Sequence, residues 1–159
     1  RRRWLPRSGR RNPVLMENRA FRRLTPSDAD QALILYNELT VGPPAQSTAG
    51  FSVVLDHPGT QVFGMFDGRE LAAMATLHLL PNVLWDGRPY GVIENVVTRA
   101  SHQRRGYGRL VMQGAIDAAW DADAYKLMLM TGTGRGATGF YEALGFSSKD
   151  KFAMVMRRD

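Results

Sequence analysis

Two glycine clusters in this sequence have the composition to hold an anion. In the first, Gln103-Arg104-Arg105-Gly106-Tyr107-Gly108-Arg109, two glycines flank a single residue at the start of an amphipathic run. Glycine lets backbone N–H groups close on a ligand, and a helix N-terminus adds a partial positive charge. Arg104, Arg105 and Arg109 add full ones. The chemistry this suits is the holding of a pyrophosphate. The second cluster, Gly134-Arg135-Gly136-Ala137-Thr138-Gly139, spells G-x-G-x-x-G. A dinucleotide fold needs an acid about 20 residues further on, at the end of a second parallel strand, and more βα units after that. Only Phe140–Asp159 follow, so this match is fortuitous. Cys is absent and the three His, at 57, 78 and 102, are scattered. Thiolate nucleophiles and zinc clusters are therefore excluded, and no metal is expected.

The elements that must position the first cluster alternate in type. Arg19–Leu24 reads as a strand, and Thr25-Pro26-Ser27-Asp28 supplies a cap, a first-turn Pro and an acid for a helix reaching Leu39. A Pro- and Gly-rich loop, Val41–Gly50, leads to a weaker helical stretch through Phe51–Leu55. Thr60–Phe66 and Glu70–Leu80 form a hairpin around Asp67-Gly68. Tyr90–Thr98 is a strand, and period two puts Val92, Glu94 and Val96 on one face and Ile93, Asn95 and Val97 on the other. A helix over Arg105–Asp121, a strand over Tyr125–Met130, a helix over Ala137–Leu144 and a last strand over Phe152–Met156 complete an α/β domain with a mixed sheet.

Charge and length bound the rest. The 159 residues suffice for one core. Of 21 basic residues, six arginines lie within residues 1–12, where there is no acid, so the remainder balances fifteen against fifteen. Residues 1–15 are expected to be a disordered basic leader, an expression remnant or read-through, with the domain running from Met16 to Asp159. A neutral domain argues against a nucleic-acid partner. The longest apolar run, Leu71–Leu80, contains Thr76 and His78 and is too short to span a bilayer. No membrane partner and a cytoplasmic, soluble protein are expected.

The segment from Ile93 to Trp120 resembles motif A of the GCN5-related N-acetyltransferases, with Gln103, Gly106 and Gly108 at the positions of its Arg/Gln-x-x-Gly-x-Gly/Ala pattern. The order of elements over Ala20–Met156 matches as well. Within that family the chain is most similar to the glucosamine-phosphate N-acetyltransferase branch, through Ile93-Glu94-Asn95-Val96-Val97, Tyr125-Lys126 and Phe140-Tyr141-Glu142-Ala143-Leu144-Gly145-Phe146. It departs from that branch at Asn95, where an Asp is usual, and in a longer, glycine-rich loop after the fifth strand.

The resemblance implies a single-domain fold with a mostly antiparallel sheet of about six to seven strands, helices on both faces, and a splay between strands 4 and 5. It implies acetyl-CoA as cosubstrate, held by the backbone of Val96, Val97 and Thr98, by the loop from Gln103 through Arg109 with Tyr107 in it, and by Phe140. It places Tyr141 beside the sulfur as general acid, the alternative being a core aromatic. Glu94, expected to be partly buried, becomes the base, the alternative being a sheet Glu paired with a basic side chain. Glu94, Asn95 and His78 are the candidate acceptor contacts, although a lone His in such a strand is more often structural. His102 is expected at the surface. The acceptor would be the primary amine of a small molecule, an amino sugar or its phosphate among the candidates, and a homodimer is implied. Acetylation of a protein or peptide, and a non-catalytic acyl-CoA-binding module, are the competing readings.

Overall fold

The computed structural model describes residues 18–39, 44, 47–149 and 151–158. The basic leader expected over residues 1–15 and part of the Val41–Gly50 loop lie outside the described residues. One five-stranded sheet organises the chain in the order β1-β2-β3-β4-β5, formed by Arg19–Arg23, Thr60–Asp67, Glu70–Pro81, Pro89–Thr98 and Leu127–Leu129. The first four strands are antiparallel neighbours, and β5 joins β4 in parallel. Helices α1 (Ala29–Leu39) and α2 (Thr48–Asp56) cover one face, while α3 (Tyr107–Asp121) and the short α4 (Thr138–Glu142) cover the other.

Each face has its own core. Leu35, Phe51, Val62, Met74 and Val97 pack beneath α1 and α2, whereas Ala75, Leu77, Ile93, Val111 and Met112 pack beneath α3. Burying apolar side chains on both faces of β3 explains its long run from Leu71 to Leu77 without a charge. The strand count is lower than the six to seven expected. Phe152–Met156, expected as a last strand, has no regular structure among the described residues, and Phe152, Met154 and Met156 are almost fully exposed. The alternation that suggested a strand is present, but no neighbouring strand supplies a ladder. The fifth strand is likewise cut from Tyr125–Met130 to three residues, Leu127–Leu129, in register with Gly91, Val92 and Ile93 of β4.

The simple alternation expected for β4 also fails. Met74 pairs with Val97 and Thr76 with Glu94, so three steps on β4 answer two on β3. The extra residue makes a bulge, and Asn95 takes φ +52° there, a region that Asn tolerates better than most residues. As a result Glu94 and Val97 share the α1–α2 face, while Ile93 and Val96 pack toward α3. Beyond Ile93, β4 has no partner on its β5 side among the described residues, which is the expected splay.

The turn into α1 is held by charge. Arg22 donates to both carboxylate oxygens of Asp28 at 2.7 Å, and the Thr25 N–H and hydroxyl donate to Asp28 Oδ2 at 2.8 and 3.0 Å. Asp28 is buried, and the Arg22 guanidinium holds its carboxyl down at about 2. A carboxyl depressed in the folded state stabilises fully above its unfolded value of 3.8 and loses that contribution as pH falls toward 2. Asp28→Asn should therefore cost about 1–2 kcal/mol at neutral pH and flatten the stability loss between about pH 4 and pH 2. Urea unfolding across that range measures both.

Candidate active site

The splay turns the end of β4 into a wall. A cavity of about 300 Å³ lies against it, bounded by Val96, Val97 and Thr98. Gln103 and Ala100 close it from the loop before α3, and Glu38, Leu39 and Arg135 close it from the opposite side. The position of the cavity follows from the register, since strand backbone without a partner keeps N–H and C=O groups free to bond a ligand. Hydrogen bonds fix its rim. Glu38 Oε2 accepts from the Ala100 N–H at 2.8 Å, and Arg135 donates to the Leu39 carbonyl at 2.7 Å. The end of α1 is thereby tied to both loops that border the cavity.

The glycine cluster has the geometry its sequence implies. Arg104 and Gly106 take φ of +58° and +88°, and Gly106 caps α3, leaving the first N–H groups of that helix for a ligand. A Cβ on Gly108 would stand 2.8 Å from Thr98 Oγ1, closer than such contacts occur. These residues fit an anion such as the pyrophosphate of coenzyme A, because the backbone at Gly106 and Gly108 carries no side chain that would cover the amides. Gly108→Val should weaken acetyl-CoA binding by roughly a hundredfold while the circular dichroism spectrum stays that of the parent, as titration calorimetry would show.

The other expected donor-side residues divide. Gln103 lines the cavity and bonds the Thr98 carbonyl at 3.3 Å. Arg104 and Arg109 are exposed beside the loop. Arg105 is drawn to Asp67 at 3.2 Å, and the Tyr107 side chain is buried beneath Arg19, whose guanidinium carbon lies 4.3 Å from the ring centroid. Asp67 bonds Tyr107 and its carboxyl is held below the ordinary range, with the nearby Arg105, His102 and Arg19 contributing. His102, expected at the surface, is buried instead, with Nε2 3.5 Å from Asp67 and 3.7 Å from Glu70. Tyr107 and His102 thus anchor the loop from behind.

A second cavity of about 310 Å³ opens between α1 and α2. Leu33, Tyr36, Phe51 and Val54 form its apolar wall, with the Tyr36 and Phe51 rings edge to face at 6.4 Å. Ser47, Gly50 and Asn95 complete it. Burial pushes the Tyr36 phenol up, and the Thr76 hydroxyl works against that shift. Asn95 borders this cavity and the next residue, Val96, borders the first, so consecutive residues of the bulge line the two spaces.

Of the remaining candidates, Glu94 is exposed rather than partly buried, and it makes no ion pair among the described residues. Its pairing with Thr76 puts it on the α1–α2 face. His78 lines neither cavity; its Nδ1 lies 2.8 Å from Thr60 Oγ1, which also lies 3.0 Å from His57 Nδ1. Tyr141 is half-buried between Phe140 and Phe146, at ring separations of 5.1 and 6.3 Å. Burial pushes its phenol up, and the charge of Arg135 acts in the opposite direction. Phe140 reaches toward Gly108, its Cζ 3.7 Å from where a Cβ would stand. Glu38, Arg135, Tyr36 and Phe51 were not singled out from sequence. Only Arg135, a cation within a glycine-rich loop, carried a local signal.

A family model described as the acetyltransferase (GNAT) family matches residues 26–146. An Escherichia coli (strain K12) protein described as the uncharacterized N-acetyltransferase YedL is 28% identical over 131 residues, 79% of each chain. The Trypanosoma brucei brucei glucosamine 6-phosphate N-acetyltransferase is 28% identical over 135 residues, 82% of this chain and 90% of its own. A solved structure of a putative acetyltransferase from Agrobacterium tumefaciens superposes with a TM-score of 0.81 at 37% identity, covering 87% of this chain and 99% of that one. No described helix is long and apolar enough to cross a membrane, and no group of three or more His, Asp or Glu that could hold a metal occurs among the described residues.

Proposed function

The chain belongs to the acetyltransferase (GNAT) family and is an acetyl-CoA-dependent N-acetyltransferase; on that premise we propose that it transfers the acetyl group to the primary amine of a small molecule by direct attack. The observation that carries this reading is that two cavities are lined by consecutive residues of the β4 bulge, Asn95 and Val96. One is walled by free strand backbone and the phosphate loop, the other by apolar side chains, and reactants seated in them would meet at the bulge.

In the proposed reaction the amine nitrogen bonds to the thioester carbonyl carbon, the carbon–sulfur bond breaks, the thiolate takes up a proton, and the new ammonium gives one up. The N–H groups of Val96 or Val97 would bond the carbonyl oxygen as charge builds on it. Glu94, exposed and without an ionic partner among the described residues, would take the proton directly or through water. Tyr141 would return one to sulfur, a role its protonated, half-buried phenol supports. The proposal extends to a cytoplasmic homodimer whose working unit is residues 16–159. Amino sugars and their phosphates are candidate acceptors on the strength of the trypanosomal relative.

The test is time-dependent release of free thiol from acetyl-CoA across a panel of amines and one lysine-bearing peptide. Release with a small amine and not with the peptide is expected; the reverse order would assign the enzyme to proteins. Glu94→Gln should lower kcat roughly tenfold with acetyl-CoA affinity retained. A variant that kept the parent rate from about pH 6 to about pH 9 would remove Glu94 from the mechanism.

A further inference from the structure

The cavities on the two sides of the bulge differ in charge. The first has Gln103 and Arg135 in its lining, and the exposed Arg104 and Arg109 flank the adjoining loop. Among the described residues, the α1–α2 cavity has no Lys, Arg or His in its lining. The sequence extends this beyond the lining. From Leu24 to Gly68, which spans α1, α2 and their connection, there is no Lys or Arg at all, while Asp28, Asp30, Glu38, Asp56 and Asp67 supply five acids. Three cations from other segments are engaged elsewhere, Arg22 with Asp28, Arg99 with Glu70 and Arg135 with the Leu39 carbonyl.

A phosphate on the acceptor would need a cationic or multiply donating partner to replace its water. The feature here with some affinity for anions is the N-terminus of α2, and its Ala49 N–H is already taken by Ser47 Oγ at 3.1 Å. What the cavity does offer is an aromatic and aliphatic wall, Tyr36 and Phe51 edge to face with Leu33 and Val54 beside them. Its volume of about 310 Å³ suits one ring or a short branched chain.

We infer that the acceptor is a primary amine borne on an uncharged aromatic or branched aliphatic group, and not a sugar phosphate. This rests on the acetyl-transfer reading of the same site and narrows its substrate class. The apolar group would sit between Tyr36 and Phe51, with the amine directed past Asn95 toward the end of β4.

The experiment compares 2-phenylethylamine, 3-methylbutylamine, glucosamine and glucosamine 6-phosphate in the thiol-release assay, with acetyl-CoA binding measured separately by calorimetry. The expected result is a kcat/KM for 2-phenylethylamine at least about tenfold above that for glucosamine 6-phosphate. Gly50→Leu, which fills a cavity position with open space beyond it, should raise KM for 2-phenylethylamine roughly tenfold and leave acetyl-CoA affinity unchanged. Preference for the sugar phosphate, or insensitivity of KM to Gly50→Leu, overturns the inference. If acetyl-CoA binds and neither apolar amine is turned over, the substrate class is wrong while the acetyltransferase reading stands. If acetyl-CoA does not bind at all, the reading of the donor cavity fails first.

Discussion

Replacing Tyr141 with Phe is expected to lower kcat roughly 10²–10⁴-fold while leaving the affinity for acetyl-CoA within about twofold of the parent. The phenol is half-buried, and burial raises it above its ordinary value, so it stays protonated wherever the enzyme is assayed. A thiolate is a weaker base than a phenolate, so the transfer depends on the phenol being held close to the departing sulfur. Removing the hydroxyl takes away the proton but not the ring, which remains packed between Phe140 and Phe146. The effect should therefore fall on kcat and spare stability. Stopped-flow measurement of the acetyl-transfer step, with calorimetry for acetyl-CoA, separates the two. A rate within threefold of the parent would make Tyr141 a packing residue and leave the thiolate to be protonated by water.

The largest effect on stability is expected at Leu77. It is fully buried on β3 and pairs with Ile93 on β4, and a Cβ added at the neighbouring Gly91 would stand 3.1 Å from its Cδ1. Leu77→Ala leaves a void that these neighbours cannot close without moving β4, so the cost should be about 2–5 kcal/mol. For a chain of this size that corresponds to a fall in Tm of roughly 4–20 °C. Ile93 is the last residue before β4 parts from β5. Loosening it should also lower acetyl-CoA affinity, and a destabilised variant with parent affinity would show that the wall of the donor cavity is set elsewhere.

The parts of this arrangement legible in the sequence were those with a local cause. Gly106 marked the entry to α3, where it takes φ +88°, and Gly68 marked the hairpin, where the turn takes φ +59°. The helices from Ala29 and from Tyr107 follow from their apolar spacing. What could not be read locally depended on contacts across the fold. The bulge at Asn95 exists only in the register between β3 and β4, so alternation placed Val97 on the wrong face. Glu94 looked buried because its neighbours in sequence are apolar, yet it is exposed. His102 looked exposed because its neighbours are polar, yet it is sunk behind Asp67 and Glu70. Phe152–Met156 has the pattern of a strand and no neighbour to pair with among the described residues.

Removing Asn95 would let Ala75 face Val96, while Val96 and Val97 kept the sides of the sheet they hold now. The strand would be regular, and its ladder with β5 would be free to continue past Ile93. One residue of register thus separates a regular ladder from the bulge, and it falls between Asn95, which borders the α1–α2 cavity, and Val96, which borders the cavity at the end of β4.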